Sequence, residues 1–558
     1  MHISSFLASS LAFLHCVNAA PTISDSVLSK RCTNSATDRS CWGDYDLSTN
    51  YYEEAPDTGV VVEYWFELVN STSSLDGVER NTLTVNGTFP GPTIIANWGD
   101  TVRVHLYNGL TTNGTSLHFH GIRQNYTNQN DGVASITQCP TAPGDSITYE
   151  WRALQYGSSW YHSHFSVQAW NGVLGGILIN GPATANYDVD LGNLFLNDWS
   201  HSTADVEYLS AELNGPPTLD NGLINGTNVY GDLGSRFNVT FTAGTSYRIR
   251  LVNAAIDTHF KFTIDNHNLT VISADFVPIV PYDTQVVSLG MGERYDVVVT
   301  ASETSGNYWL RAIAQIACSE NAYPDNIMGT VMYDSTNTTE PDSTAWTYTD
   351  NCDDETLTDL VPYLALDASS ATVTDDEAVT IGVVATDIGN VGYWYMGGTT
   401  FLVDWADPTL QQVIDGSNFT TQDHVVQVDD ADEWVYFVIA TTNAQPHPIH
   451  LHGHDFYVLA QGTGTFSDTT TLNLVNPMRR DVAMLPGAGY LVIAFITDNP
   501  GAWLMHCHIG WHTDEGLALQ ILERQSEIPA LIDTDVLNST CAAWEAYGET
   551  QPTGEDGI

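Results

Sequence analysis

Histidine is crowded into four short segments of this 558-residue chain, and that crowding constrains the fold more than any other feature. The segments are His118-Phe-His120, His162-Ser-His164, His447-Pro-Ile-His450-Leu-His452-Gly-His454 and His506-Cys507-His508-Ile-Gly-Trp-His512. They span 21 positions and hold 11 of the 18 histidines. A histidine kept for packing comes singly, so this density points to metal. On an extended strand, residues i and i+2 point to one face. Each His-x-His therefore offers two imidazoles to one site. In His506-Cys507-His508 the imidazoles face one way and the thiolate the other. If both faces bind metal, a few covalent bonds join two centres, a path for electrons that implies redox metals rather than zinc.

The rest of the chain reads as β structure. Short β-branched or aromatic runs are bounded by Gly, Pro, Asn and Asp: residues 60–68, 101–107, 247–252, 295–300, 434–440 and 490–497. Such runs with frequent turn signals predict sandwiches or barrels. Breaks after Gly181-Pro182 and in the Thr/Asp-rich stretch near 334–358 divide the chain into three β units, 32–182, 183–350 and 351–558. A short helix is expected over Ser539–Tyr547.

Residues 4–20 read as a secretory signal peptide, and Lys30-Arg31 as a propeptide cut after 21–31. Seven cysteines then remain, an odd number: Cys32, Cys41, Cys139, Cys318, Cys352, Cys507 and Cys541. Cys507, between two histidines, is the one with another task. The other six allow three disulfides in 15 connectivities. Ten Asn-x-Ser/Thr sequons, at Asn70, Asn86, Asn113, Asn125, Asn225, Asn238, Asn268, Asn337, Asn418 and Asn538, suit an exported glycoprotein. The net charge of −51, from 16 basic and 67 acidic residues, argues against nucleic acid or anionic lipid as a partner. Carboxylate self-repulsion falls on protonation, so the fold is expected to suit mildly acidic surroundings.

Cys507, His512 and His447 make a His₂Cys set, the ligands of a blue copper site, with Leu517 at the usual axial position and unable to coordinate. The other eight, His118, His120, His162, His164, His450, His452, His506 and His508, suit a cluster of about three coppers with open positions for a small ligand.

The segments 118–144, 157–176, 447–456 and 498–520 resemble the four copper signatures of the multicopper oxidases, in the order that family uses, and within it fungal laccases of the ascomycete type. The resemblance runs from about Cys32 to the C-terminus. It implies three cupredoxin-like β domains in tandem and copper as cofactor, with one type 1, one type 2 and two type 3 ions. It makes His447, Cys507 and His512 type 1 ligands and His118 and His450 the type 2 pair. One type 3 copper takes His120, His162 and His508; the other takes His164, His452 and His506. His454 matches a position that is not a ligand. The resemblance also implies disulfides Cys32–Cys41, Cys139–Cys541 and Cys318–Cys352.

Two carboxylates are carried over with less local support. Asp257 aligns with an acid that contacts phenol and would accept its proton; Asp131 resembles an acid that assists proton delivery to O₂. The bland alternatives are a loop aspartate and an Asp-Gly turn. Elsewhere in the family an acid follows the last type 3 histidine by two residues; here Gly510 stands there. The end, Glu555-Asp556-Gly557-Ile558, resembles a tail that plugs a solvent channel, but lacks the usual serine. His105, His201, His259, His267 and His424 receive no metal role.

The resulting expectation is a secreted, monomeric laccase acting on phenols and aromatic amines with O₂, His512 being the exposed point of electron uptake. A ferroxidase, an ascorbate oxidase and a copper-binding protein without turnover are the rivals.

Overall fold

The computed structural model describes residues 32–369, 378–385, 392–467 and 469–548. The signal peptide, propeptide and C-terminal tail lie outside them. Strands take 41% of the chain and helices 9%, so the architecture is all-β.

Six larger sheets pack as three face-to-face pairs. The first pairs a four-stranded sheet carrying Val61–Ser73, Arg80–Val85, Thr101–Asn108 and Ser146–Arg152 with one carrying Gly91–Asn97, His118–Phe119, Gly157–His162 and Leu174–Asn180. Alternation builds this core. In Thr101–Asn108 every second residue is buried, and Val102, Val104 and Leu106 pack against Ile94, Phe119, Tyr161 and Ile177 of the facing sheet. The second pair joins six and five strands between Val189 and Met332; the third joins six and five strands between Ala378 and Glu523. Each sheet is mostly antiparallel with one parallel pair, for example Val61–Ser73 beside Thr101–Asn108 and Val425–Val428 beside Ala518–Glu523.

All six runs expected as strands are strands, the first extending to Ser73. The C-terminal helix runs over Thr534–Tyr547 and starts earlier than expected, because Asp533 caps it by accepting from the N–H groups of Asp535 and Val536. Cys139–Cys541 ties this helix to the first sandwich, and Cys32–Cys41 and Cys318–Cys352 are also formed, leaving Cys507 free and buried.

Basic side chains are drawn inward. Eight of the 16, namely Arg80, Arg123, Arg248, Arg250, Lys261, Arg294, Arg479 and Arg480, are buried. Several meet carboxylates directly, as in Arg480–Asp275 at 2.8 Å and Arg250–Asp190 at 2.6 Å. Burial alone would cost a guanidinium several kcal/mol, so these pairs are the condition for placing it there.

Candidate metal centre

The four histidine segments meet between the first and third sandwiches. His118 lies directly across from His162 in one ladder, and His450 across from His506 in another. The two ladders face each other: the rings of His118 and His452 approach to 4.1 Å between centroids, and those of His120 and His450 stack at 3.9 Å. The second histidine of each pair lies just past its strand, and at three of the four a backbone bond keeps it in register. His120 N–H donates to Trp160, His452 N–H to Leu504 and His508 N–H to Pro448.

Ligand atoms gather in groups within 4.8 Å of one another: His118, His120 and His450; His120, His162 and His508; His164, His452 and His506; and, apart from these, His447, Cys507 and His512. The structure thus brings together all ten histidines and the cysteine singled out in the sequence. Cys507 Sγ lies 3.7 Å from His447 Nδ1 and 3.6 Å from His512 Nδ1. Leu517 shares the buried cluster of Cys507 and accepts its N–H through the backbone carbonyl. His454 turns away from the group, pairing through Nε2 with Glu523 at 2.9 Å.

The nitrogens are sorted. One nitrogen of each of several rings is occupied by protein: His118 Nδ1 donates to the Asp131 carbonyl, His162 Nδ1 to Ser163, His450 Nδ1 to the Asp481 carbonyl and His506 Nδ1 to Cys507. His452 Nδ1 meets the Asp131 carboxylate at 2.8 Å, and His120 Nε2 meets that of Asp481 at 3.1 Å. The opposite nitrogens of His118, His120, His162 and His450 are buried with no hydrogen-bond partner in the protein. Leaving so many buried acceptors unpaired is costly unless a cation takes them. Burial favours the neutral imidazole at His120, His162 and His450, and pushes His506 down to about 4 and His447 to about 3. The same burial raises the Cys507 thiol, so a bound cation is needed to make it a thiolate. The donor set of imidazoles with one thiolate suits copper.

Family comparisons agree. Three models, each described as multicopper oxidase, match residues 68–184, 190–334 and 400–527. The chain belongs to the multicopper oxidase family. It is 48% identical to Laccase-2 of Botryotinia fuckeliana over 94% of this chain and 93% of that one. The crystal structure of laccase from Botrytis aclada superposes with a TM-score of 0.90 at 46% identity, covering 94% of this chain and 99% of that one. Fet3p, a multicopper oxidase that functions in iron import, gives 0.78 at 26%, covering 87% and 95%. The three sandwiches of this oxidase are therefore cupredoxin-like, and its cofactor is copper, with type 1, 2 and 3 sites, four ions in all.

A narrow cleft opens beside the mononuclear group, walled by Phe89, Trp170, Trp199, Ile256 and Trp511, the residue before His512. His512 itself is only 2% exposed, because Trp394 covers its ring at 4.2 Å. The expectation of an exposed His512 is therefore not met. Two carboxylates line the cleft, Glu207 and Asp198, and Asp198 accepts from the N–H groups of Ile256, Asp257 and Thr258. Burial raises its carboxyl, while those three bonds favour the ionised form. Asp257, the residue expected there, is 3% exposed; its N–H donates to Asp198, its Oδ1 is buried with no hydrogen-bond partner in the protein, and its charge helps to raise the Cys507 thiol. Burial, then the charge of Asp198, pushes Asp257 up to about 8. The sequence signal for Asp198 was an acid at the buried end of the apolar strand Val189–Trp199.

Proposed function

We propose that this oxidase is a secreted laccase that removes single electrons from phenols and aromatic amines and reduces O₂ to water. The observation that carries this is the sharing of one segment: Cys507 belongs to the mononuclear group, while His506 and His508, its covalent neighbours, belong to the two groups of three. Bound copper supplies the one-electron chemistry that imidazole and carboxylate lack. His447, Cys507 and His512 hold the electron-accepting ion; His118 and His450, His120, His162 and His508, and His164, His452 and His506 hold the other three. The aromatic cleft seats the phenol ring beside Trp511, and Asp198 takes the phenolic proton at a carboxylate oxygen as the electron leaves. Asp257, whose N–H holds Asp198 and whose Oδ1 has no hydrogen-bond partner in the protein, is the second carboxylate placed to take part in that proton transfer. Four phenols give up four electrons and four protons; one O₂ takes four of each and yields two waters. Asp131, with one oxygen on His452, hands on protons at the cluster side. Export is supported by three disulfides and ten sequons, and among the described residues no helix is long and apolar enough to cross a membrane.

Oxygen uptake on a dimethoxyphenol, Fe(II) and ascorbate with one copper-loaded preparation tests the reading. The phenol should give the highest kcat/KM; dominance of Fe(II) would assign a ferroxidase instead. Asp198→Asn should lower kcat/KM for the phenol by about 10²-fold relative to a donor that loses no proton, such as ferrocyanide. Equal losses on both donors would remove Asp198 from proton acceptance.

A further inference from the structure

The middle sandwich contributes no imidazole to any of the four groups, yet its backbone lies against two of them. The turn Gly290-Met291-Gly292-Glu293 leads into the strand Arg294–Thr300. Gly292 has φ +86°, and a Cβ there would stand 2.9 Å from His508 Cδ2 and 3.1 Å from His120 Cε1. Two residues on, Arg294 is 1% exposed and grips Asp481 with two parallel bonds, Nη1 to Oδ1 and Nη2 to Oδ2, each 2.5 Å. Arg294 Nη1 also donates to the Gly292 carbonyl at 3.2 Å, so clamp and turn are one unit. Asp481 in turn faces His120 Nε2 at 3.1 Å and accepts from His450 Nδ1 through its carbonyl at 2.7 Å. Gly121, next to His120, keeps the contact open: a Cβ there would lie 2.4 Å from both Arg294 Nη2 and Asp481 Oδ2.

A guanidinium–carboxylate fork fixes angle as well as distance, which a lysine ammonium cannot do. Groups behind a metal ligand orient its ring and govern metal affinity. We propose that the middle sandwich sets the geometry of the trinuclear group. Arg294 is a positioning residue that acts on His120 and His450 through Asp481, and Gly292 is the seat against which His120 and His508 rest. The inference rests on the copper reading of these imidazoles.

The test uses the full-length, copper-loaded protein and the variants Arg294→Met, Arg294→Lys and Gly292→Ala. The readouts are copper per chain, the blue thiolate band, the type 2 electron paramagnetic resonance signal and copper affinity by competition with a chelator. Arg294→Met should keep the blue band and alter the type 2 signal, and both it and Gly292→Ala should weaken copper retention at the trinuclear group by about 10–100-fold. Arg294→Lys should lie between wild type and Arg294→Met. Undiminished copper retention in Gly292→Ala together with an unaltered type 2 signal in Arg294→Lys would overturn the proposal, and these two decide it if Arg294→Met does not fold. A wild-type chain that takes up no copper would instead overturn the copper reading on which the proposal stands.

Discussion

Asp131 and Asp481 flank the trinuclear group from opposite sides and do matching work. Each accepts an Nδ1–H through its backbone carbonyl, from His118 and His450 respectively. Each turns its carboxylate to a further ring, His452 at 2.8 Å and His120 at 3.1 Å. They differ in what stands behind them. Both oxygens of Asp481 are taken by Arg294. Among the described residues, the ion pairs of Asp131 are with imidazoles alone, and its Oδ1 is buried without a hydrogen-bond partner. A carboxylate with both oxygens in a guanidinium fork is a strut, since protonation would sacrifice those bonds. A carboxylate with an open oxygen has room to exchange a proton.

The largest expected effect breaks the pair apart by function. Asp131→Asn keeps an oxygen for His452 but cannot accept a proton, and should lower kcat by about 10²–10⁴-fold with copper content unchanged. Normal turnover in that variant would remove the distinction. Asp481→Asn should do the converse, weakening copper retention by about 10–100-fold, measured by chelator competition, with the loss in kcat tracking the loss of metal. A full copper complement with slow turnover would show that Asp481 also handles protons.

The smallest effect extends the rule to carboxylates elsewhere. Burial pushes Asp190 up, but Arg250 outweighs it and brings the carboxyl down to about 2. Asp257 and Glu515 face no such fork; burial first, then Asp198 and Glu212, push each up to about 8. A carboxyl raised from about 4 to about 8 on folding makes the native state bind more protons than the unfolded chain throughout that window. Stability is therefore fully favoured below the unfolded value and falls as pH rises toward 8. The slope is at most about 1.4 kcal/mol per pH unit for each group. Thermal melts should give a higher Tm at about pH 5 than at about pH 8, with a shallower decline in Asp257→Asn. A higher Tm at the alkaline end would contradict both this account and the expectation from net charge.

The eleven candidate ligands were legible because their spacing is local: His-x-His and His-Cys-His carry their meaning within three residues. The strands were legible for the same reason, as alternation in runs such as 101–107 needs no partner to be seen. Arg294 and Asp481 were not, because 187 positions separate them and neither sits in a motif. Only the meeting of the second and third sandwiches makes them one device. Asp198 was not legible beside Asp257, because it stands 59 positions earlier and meets that loop only through the N–H groups of Ile256, Asp257 and Thr258. The helix Ala204–Asn214 at the cleft rim was missed for another reason. Apolar residues lie on both faces, Tyr208 and Ala211 inward and Val206, Leu209 and Leu213 outward, which blurs the period.

The inward placement of arginine has a consequence at the other boundary of the molecule. With half the basic side chains withdrawn from solvent, carboxylates outnumber cations on the exterior by a wide margin. Such a shell concentrates cations, hydronium among them, so the proton activity against the protein exceeds that of the medium. Each O₂ takes up four protons at the cluster, and an acidic exterior raises their supply close to the protein. Added salt thins that layer to within about a Debye length, and the pH optimum should drift downward as it does.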